Sequence, residues 1–141
     1  MPQPRVLAAR PWVLLLVDDD REMLESMQIL IETCLLGTKV VTANSGRQGL
    51  QALASGKVDA IVSDFDMPGM DGIELLHQAH ELYPKVPRIM LTGVTDTNLG
   101  QRAKERGQVD DFIPKVTPAD ELLSRIVKFL RFIPPDLEPA P

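Results

Sequence analysis

The sequence predicts a doubly wound α/β domain, a flavodoxin-like parallel sheet of five strands in the order 2-1-3-4-5 with helices on both faces. Three observations predict it. Five short, almost wholly apolar runs alternate with longer amphipathic stretches, strand starts recur roughly every 20 to 30 residues, and two runs end in aspartates. Apolar runs without polar alternation suit strands buried on both faces, and the spacing leaves room for one crossover helix per strand. A chain of 141 residues, 44% of them hydrophobic, is enough for one such domain with short tails.

Residues 13–17 form the first strand, stopped by Asp18, Asp19 and Asp20. In the first helix Met23, Met27, Leu30 and Cys34 fall at spacings of four, three and four, with Leu24, Ile31 and Leu35 widening the stripe. Cys34 is thereby expected in the core as a small apolar residue. Gly37 ends this helix, and the β-branched run 38–43 is the second strand. Ser45 caps a second helix with Leu50, Leu53 and Ala54 on its apolar side, and Gly56 ends it.

The third strand is 59–63, running into Asp64. Asp71 caps a third helix bearing Ile73, Leu76 and Leu82, closed off by Pro84 and Pro87. The fourth strand, 88–91, precedes Thr92. Asp96 or Thr97 opens a fourth helix whose large apolar residues are few, Leu99 and Ala103 among Arg102, Lys104, Glu105 and Arg106, so little holds it down. Residues 111–113 are a short fifth strand. The last helix runs from Pro118 to about Phe132. It carries Leu122, Ile126 and Phe129 in one stripe and Leu123, Val127 and Leu130 in another, a width that suits a broad core contact or an oligomer face. Residues 1–11 are expected to be a flexible tail and 12–133 the domain. Residues 134–141, with four prolines in eight positions, are expected to be an extended tail or the start of a linker.

With 15 Lys plus Arg against 20 Asp plus Glu, the chain has a formal charge of −5 and no concentrated basic face, which argues against direct nucleic-acid binding. Arg5 and Arg10 before an apolar run imitate a signal peptide. That run meets aspartate too soon for a signal or a membrane span, and no small-residue cleavage site follows. The single cysteine forms no internal bridge, and a reducing, cytoplasmic setting fits. His77 and His80 lie three apart without acidic or thiol partners nearby in sequence, and are read as solvated surface.

In the order 2-1-3-4-5 the first and third strands are neighbours at the switch point, where such sheets bind ligands at their carboxyl ends. Asp18, Asp19 and Asp64 converge there. Carboxylates so close raise one another's pKa unless a cation sits among them. Mg2+ (or Mn2+) answers this, because it takes one or two carboxylates and leaves other positions to water or phosphate. Thr92 and Lys115 bring a hydroxyl and a cation to the same rim, a phosphoryl site in outline. A carboxylate there can act as nucleophile and become an aspartyl phosphate, with metal and lysine offsetting charge.

The stretches Leu14-Leu15-Leu16-Val17-Asp18-Asp19-Asp20, Ile61-Val62-Ser63-Asp64-Phe65-Asp66-Met67-Pro68-Gly69-Met70-Asp71-Gly72 and Met90-Leu91-Thr92 resemble the receiver domain of bacterial two-component response regulators. The resemblance covers about residues 12–132. It implies that Asp64 is the phosphoacceptor, taking its phosphoryl group from a sensor histidine kinase or a histidine phosphotransfer protein. It further implies that Asp18 and Asp19 hold magnesium together with Asp64 and the backbone carbonyl of Asp66. Thr92 would hydrogen-bond one phosphoryl oxygen, Lys115 would pair with another, and Phe112 would occupy the aromatic switch position. A domain of this kind is a regulator with at most slow self-phosphorylation and autodephosphorylation. It can homodimerise, here through helices 4 and 5, can precede a C-terminal output domain, and needs neither nucleic acid nor membrane.

Family members usually place a cis proline directly after the lysine, whereas here Val116 follows and Pro114 precedes. A cis Lys115–Val116 bond would cost about 2.5–4 kcal/mol, so a trans bond is expected. The alternative is a phosphatase of the haloacid dehalogenase kind, because Asp64-Phe65-Asp66 also resembles that family's nucleophile and acid pair. Pro68 stands where that family expects a threonine. A flavodoxin-like cofactor protein is disfavoured, since three aspartates after the first strand would repel the phosphate such loops cradle.

Overall fold

A computed structural model describes residues 11–93 and 97–131. In chain order the elements are β1 (Trp12–Val17), α1 (Arg21–Cys34), β2 (Thr38–Ala43), α2 (Gly46–Leu53), β3 (Ala60–Asp64), α3 (Gly72–Leu82), β4 (Arg88–Thr92), α4 (Thr97–Glu105), β5 (Asp111–Pro114) and α5 (Ala119–Arg131). The strands pair in the order β2-β1-β3-β4-β5, every pair parallel. This is the architecture the sequence predicts.

Side chains alternate across a strand, so the unbroken apolar runs feed two cores. Leu14 and Leu16 of β1 point to one face, where they meet Leu24, Met27 and Ile31 of α1 and Leu122, Ile126 and Leu130 of α5. Leu15 and Val17 point to the other, against Leu53 of α2, Ile73, Leu75, Leu76 and Ala79 of α3, and Leu99 and Ala103 of α4. Each fully buried leucine or isoleucine contributes about 1.5–3 kcal/mol relative to exposure.

The helix starts follow from local hydrogen bonding. Asp20 accepts from the N–H groups of Glu22 and Met23 at the head of α1, Ser45 from Gln48 at α2, and Asp71 from Glu74 at α3. At the end of the sheet remote from the aspartates, the Arg88 guanidinium is buried and donates to the carbonyls of Pro84, Val86 and Gln108. Burial pulls its pKa down, and the charge of Asp110 opposes that.

Several expectations are corrected. The buried stripe of α1 is Leu24, Met27 and Ile31, with Met23 and Leu35 beside it, and Cys34 is exposed. A true helical turn is 3.6 residues, so the stripe set by Met23, Met27, Leu30 and Cys34 lies about one residue out of phase with the buried face. On α5 the core takes Leu122, Ile126 and Leu130, while Phe129 joins Leu123 at the margin. The histidines are not freely solvated: His77 Nδ1 lies 3.0 Å from the Arg106 carbonyl, and His80 Nδ1 is buried with no hydrogen-bond partner among the described residues. Helix α4 is as lightly held as its composition suggests: Leu99 and Ala103 are its core anchors, and the Arg106–Glu74 pair just beyond it, at 3.2 Å, is exposed and worth little. It begins at Thr97; Asp96 lies outside the described residues. So do Arg5, Arg10, the end of the last helix at Phe132, the expected tail 134–141 and, Pro11 apart, the expected tail 1–11.

Candidate functional site

The register of the sheet brings the predicted residues together. Val17 is paired with Ser63, Asp64 with Leu91, and Thr92 with Pro114, so the residues at or just after these positions share one rim. Asp18, Asp19 and Asp64 each offer a carboxylate oxygen, and these oxygens lie within 4.8 Å of one another. Asp18 and Asp64 are 3% and 6% exposed, whereas Asp19 faces solvent, so the cluster is buried on one side and open on the other.

Backbone bonds hold this rim rigid. The Asp18 N–H donates to the Ala43 carbonyl, which ties the end of β1 to β2, and the Asp20 N–H donates to Asp18 Oδ1. Ser63 Oγ donates to the Asp64 carbonyl, and the Gly72 N–H donates to the Phe65 carbonyl. Gly72 must be glycine: a Cβ there would run into the Asp64 carbonyl oxygen and stand 2.8 Å from Phe65 Cα. Gly69 in the same loop has φ +78, a left-handed conformation that glycine adopts without strain.

Lys115 reaches into the cluster. Its Nζ lies 3.1 Å from Asp64 Oδ1 and 3.3 Å from Asp18 Oδ2. Its backbone N–H donates to the Thr92 carbonyl at 2.7 Å, which fixes the stem of the side chain beside the threonine. No peptide bond among the described residues is cis, so Lys115–Val116 is trans and the lysine still meets both carboxylates. Thr92 is 1% exposed at the end of β4. Gly93 faces Lys115 Cδ at 3.9 Å from a built Cβ, so alanine would fit there without a clash.

The electrostatics follow from crowding. Burial pushes the Asp64 carboxyl above the usual carboxylate range and the charge of Asp18 adds to it; the hydrogen bond and charge of Lys115 oppose this without cancelling it. Burial pulls the Lys115 amine down, but its hydrogen bond and charge contact with Asp64, then those with Asp18, outweigh this and the net direction is up. One ammonium among three carboxylates leaves the rim negative. That charge, on oxygen donors alone, fits a small hard dication.

Two predicted residues stand apart from the carboxylate cluster. The Asp66 side chain is exposed and outside it; the expectation for this residue concerns its backbone carbonyl. Phe112 is half-buried against the core under α4, its ring 3.9 Å from a Cβ built on Gly100. The tight approach of Gly72 escaped the sequence reading. Its signal was the glycine directly after a capping aspartate, eight residues beyond Asp64.

The sequence profile of the response regulator receiver domain matches residues 14–127. Among curated relatives, the chain is 38% identical over 116 residues to the C4-dicarboxylate transport transcriptional regulatory protein DctD of Pseudomonas aeruginosa, covering 82% of this chain and 24% of that one. It is 34% identical over 126 residues to the response regulator MprA of Mycolicibacterium vanbaalenii, covering 89% of this chain and 53% of that one. The chain thus spans about a quarter to a half of the length of these relatives. Among solved structures, the signal receiver domain of an HD domain-containing protein from Pseudomonas fluorescens Pf-5 superimposes with a TM-score of 0.81 at 34% identity, covering 88% of this chain and 90% of that one. A CheY-like receiver domain protein from Methanospirillum hungatei gives 0.78 at 29% identity, covering 86% and 94%. Sheet order, acidic rim and sequence profile agree: the chain belongs to the response regulator receiver domain family, domains of phosphorylation-dependent signalling.

Proposed function

We propose that Asp64 is the residue that accepts the phosphoryl group, from a sensor histidine kinase or a histidine phosphotransfer protein, and that Thr92, Lys115 and Phe112 turn its arrival into a change of surface. The observation that carries this reading is the meeting of Asp18, Asp19, Asp64 and Lys115 at one half-open rim. An Asp64 carboxylate oxygen attacks phosphorus, the N–P bond of the phosphohistidine breaks, and the imidazole nitrogen keeps the electron pair and takes a proton from solvent. Asp18, Asp19, Asp64 and the backbone carbonyl of Asp66 are the groups that would hold Mg2+ or Mn2+, which supplies charge neutralisation for the nucleophile and the incoming phosphoryl oxygens.

The chain's own residues do the rest. Lys115 keeps its ammonium on Asp64 Oδ1, where it offsets the charge of a phosphoryl oxygen once Asp64 is phosphorylated. Thr92, one residue past the strand register of Asp64, donates its hydroxyl to another. Movement of Thr92 toward that oxygen vacates space for Phe112, which has no hydroxyl and therefore reports by packing alone. The phosphatase alternative would need Asp66 as an acid beside Asp64; Asp66 is exposed and lies outside the cluster. Self-phosphorylation and hydrolysis are accordingly slow and serve regulation, in the cytoplasm. Among the described residues no helix is long and apolar enough to cross a membrane.

Mg2+ and acetyl phosphate should add one acid-labile phosphoryl group per chain, and Asp64→Asn should abolish it; equal labelling of that variant would refute the assignment. The half-buried Leu123, Val127 and Phe129 of α5 support a phosphorylation-driven homodimer through α4 and α5, with a C-terminal output domain as its target. Sedimentation should then quicken on phosphorylation, and an unchanged coefficient at high concentration removes the dimer.

A further inference from the structure

The outer edge of the sheet carries side chains that the phosphoryl site does not use. Among the described residues, strand β2 pairs with β1 alone, so one of its edges is free. The Trp12 N–H donates to the Gly37 carbonyl and the Asp18 N–H to the Ala43 carbonyl, so odd-numbered residues there face β1 and even-numbered residues face outward. A free row of backbone groups is a template on which another strand can pair. Here most of the row is filled. The Thr38 N–H donates to the Leu35 carbonyl at 3.1 Å, and the Asn44 N–H to Gln48 Oε1 at 3.0 Å. Between them α1 reaches over the edge: the Val40 N–H donates to Glu32 Oε2 at 2.8 Å, and the Val40 carbonyl accepts from Gln28 Nε2 at 3.4 Å. Gln28 also donates to Glu32 at 3.4 Å, so two side chains one turn apart brace each other. Thr42, exposed, lines an open polar cavity of about 230 Å³ beside Arg21, Glu25 and Gln28.

We infer that Gln28 and Glu32 form an edge lock that keeps β2 from pairing with the β2 of a second copy of this chain. A two-fold axis at this edge would join identical strands antiparallel and continue the sheet. The same operation brings the two α1 flanks together. Ile29 on α1 is 67% exposed, and Leu36, in the turn between α1 and β2, is 85% exposed. These exposed apolar side chains, left in water by a single chain, would be the ones a second copy covers across the axis. The lock closes the edge twice: Glu32 and Gln28 occupy the hydrogen-bonding groups of Val40, and the two Glu32 carboxylates repel across the axis.

Sedimentation velocity over a range of concentrations tests the lock, on the whole chain without metal or phosphodonor. The double variant Gln28→Ala, Glu32→Ala should dimerise with a dissociation constant at least about tenfold below that of the wild type. Adding Thr42→Pro should abolish the gain, since it removes an outward N–H and leaves the ladder to β1 intact. Glu32→Gln, which keeps an acceptor for Val40 but removes the carboxylate repulsion, should fall between wild type and the double variant. A folded double variant that sediments as wild type overturns the lock, and so does association that survives Thr42→Pro. Should the double variant fail to fold, Glu32→Ala alone decides: a shift toward dimer supports the lock, and sedimentation identical to wild type overturns it. With no phosphoryl group present, either outcome leaves the role of Asp64 untouched.

Discussion

Asp64 is held in a state that folding alone does not favour. Burial first, then the Asp18 charge, raises its pKa above the value it has in an unfolded chain, despite the neighbouring ammonium. A raised folded-state pKa means that its contribution to stability is fully present below the unfolded pKa and is lost as pH rises through the folded one. Asp64→Asn removes the charge while Lys115 keeps Asp18 as its partner. Without metal the variant should therefore melt roughly 2–8 °C higher than wild type at pH 7. The difference should close below about pH 4, where wild-type Asp64 is protonated as well. Thermal melts across pH check this, and a variant that melts lower at pH 7 would contradict it. At this scale Asp18, Asp64, Thr92 and Lys115 were legible because each lies at or just after a strand end, a position that apolar runs mark sharply. Cys34 was misread because a stripe one residue out of phase scores nearly as well by spacing.

At the scale of elements, β3 and α3 are joined through a turn with no room for a side chain at Gly72. The clash a methyl group would meet there is with the backbone of Asp64 and Phe65, which cannot rotate away as a side chain can. Gly72→Ala should destabilise the chain by about 1–3 kcal/mol and slow phosphorylation, because relief of the clash displaces the carboxylate. Urea unfolding and acetyl phosphate labelling together check this; wild-type values for both would contradict it. Helix α4 is the opposite case. Its core anchors are Leu99 and Ala103, and His77 and Glu74 of α3 hold its far end through Arg106, a pairing largely in water and worth little. An element so fastened suits a part that two states pack differently. The strands and most helix starts were readable from apolar runs and capping residues. The contact at the far end of α4 was not, because it depends on a backbone carbonyl that no side-chain pattern encodes.

At the scale of the whole molecule, the two helical layers hold the sheet rigid, and its carboxyl edge gathers acidic groups from β1 and β3 that lie 46 residues apart in sequence (Asp18 to Asp64). Strand order was legible because the aspartates ended two runs that this topology makes neighbours. The lock on β2 was not, because Gln28 and Glu32 look like ordinary surface residues of a helix until Val40 is seen beside them. The rim's negative charge, offset in part by one lysine, is proposed to hold a dication and, through it, an anion that mimics phosphate. Fluorine NMR of the chain with beryllofluoride tests this most directly. Bound fluoride signals should appear with Mg2+, vanish on chelation, and be absent from Asp64→Asn; signals of equal strength after chelation would contradict it.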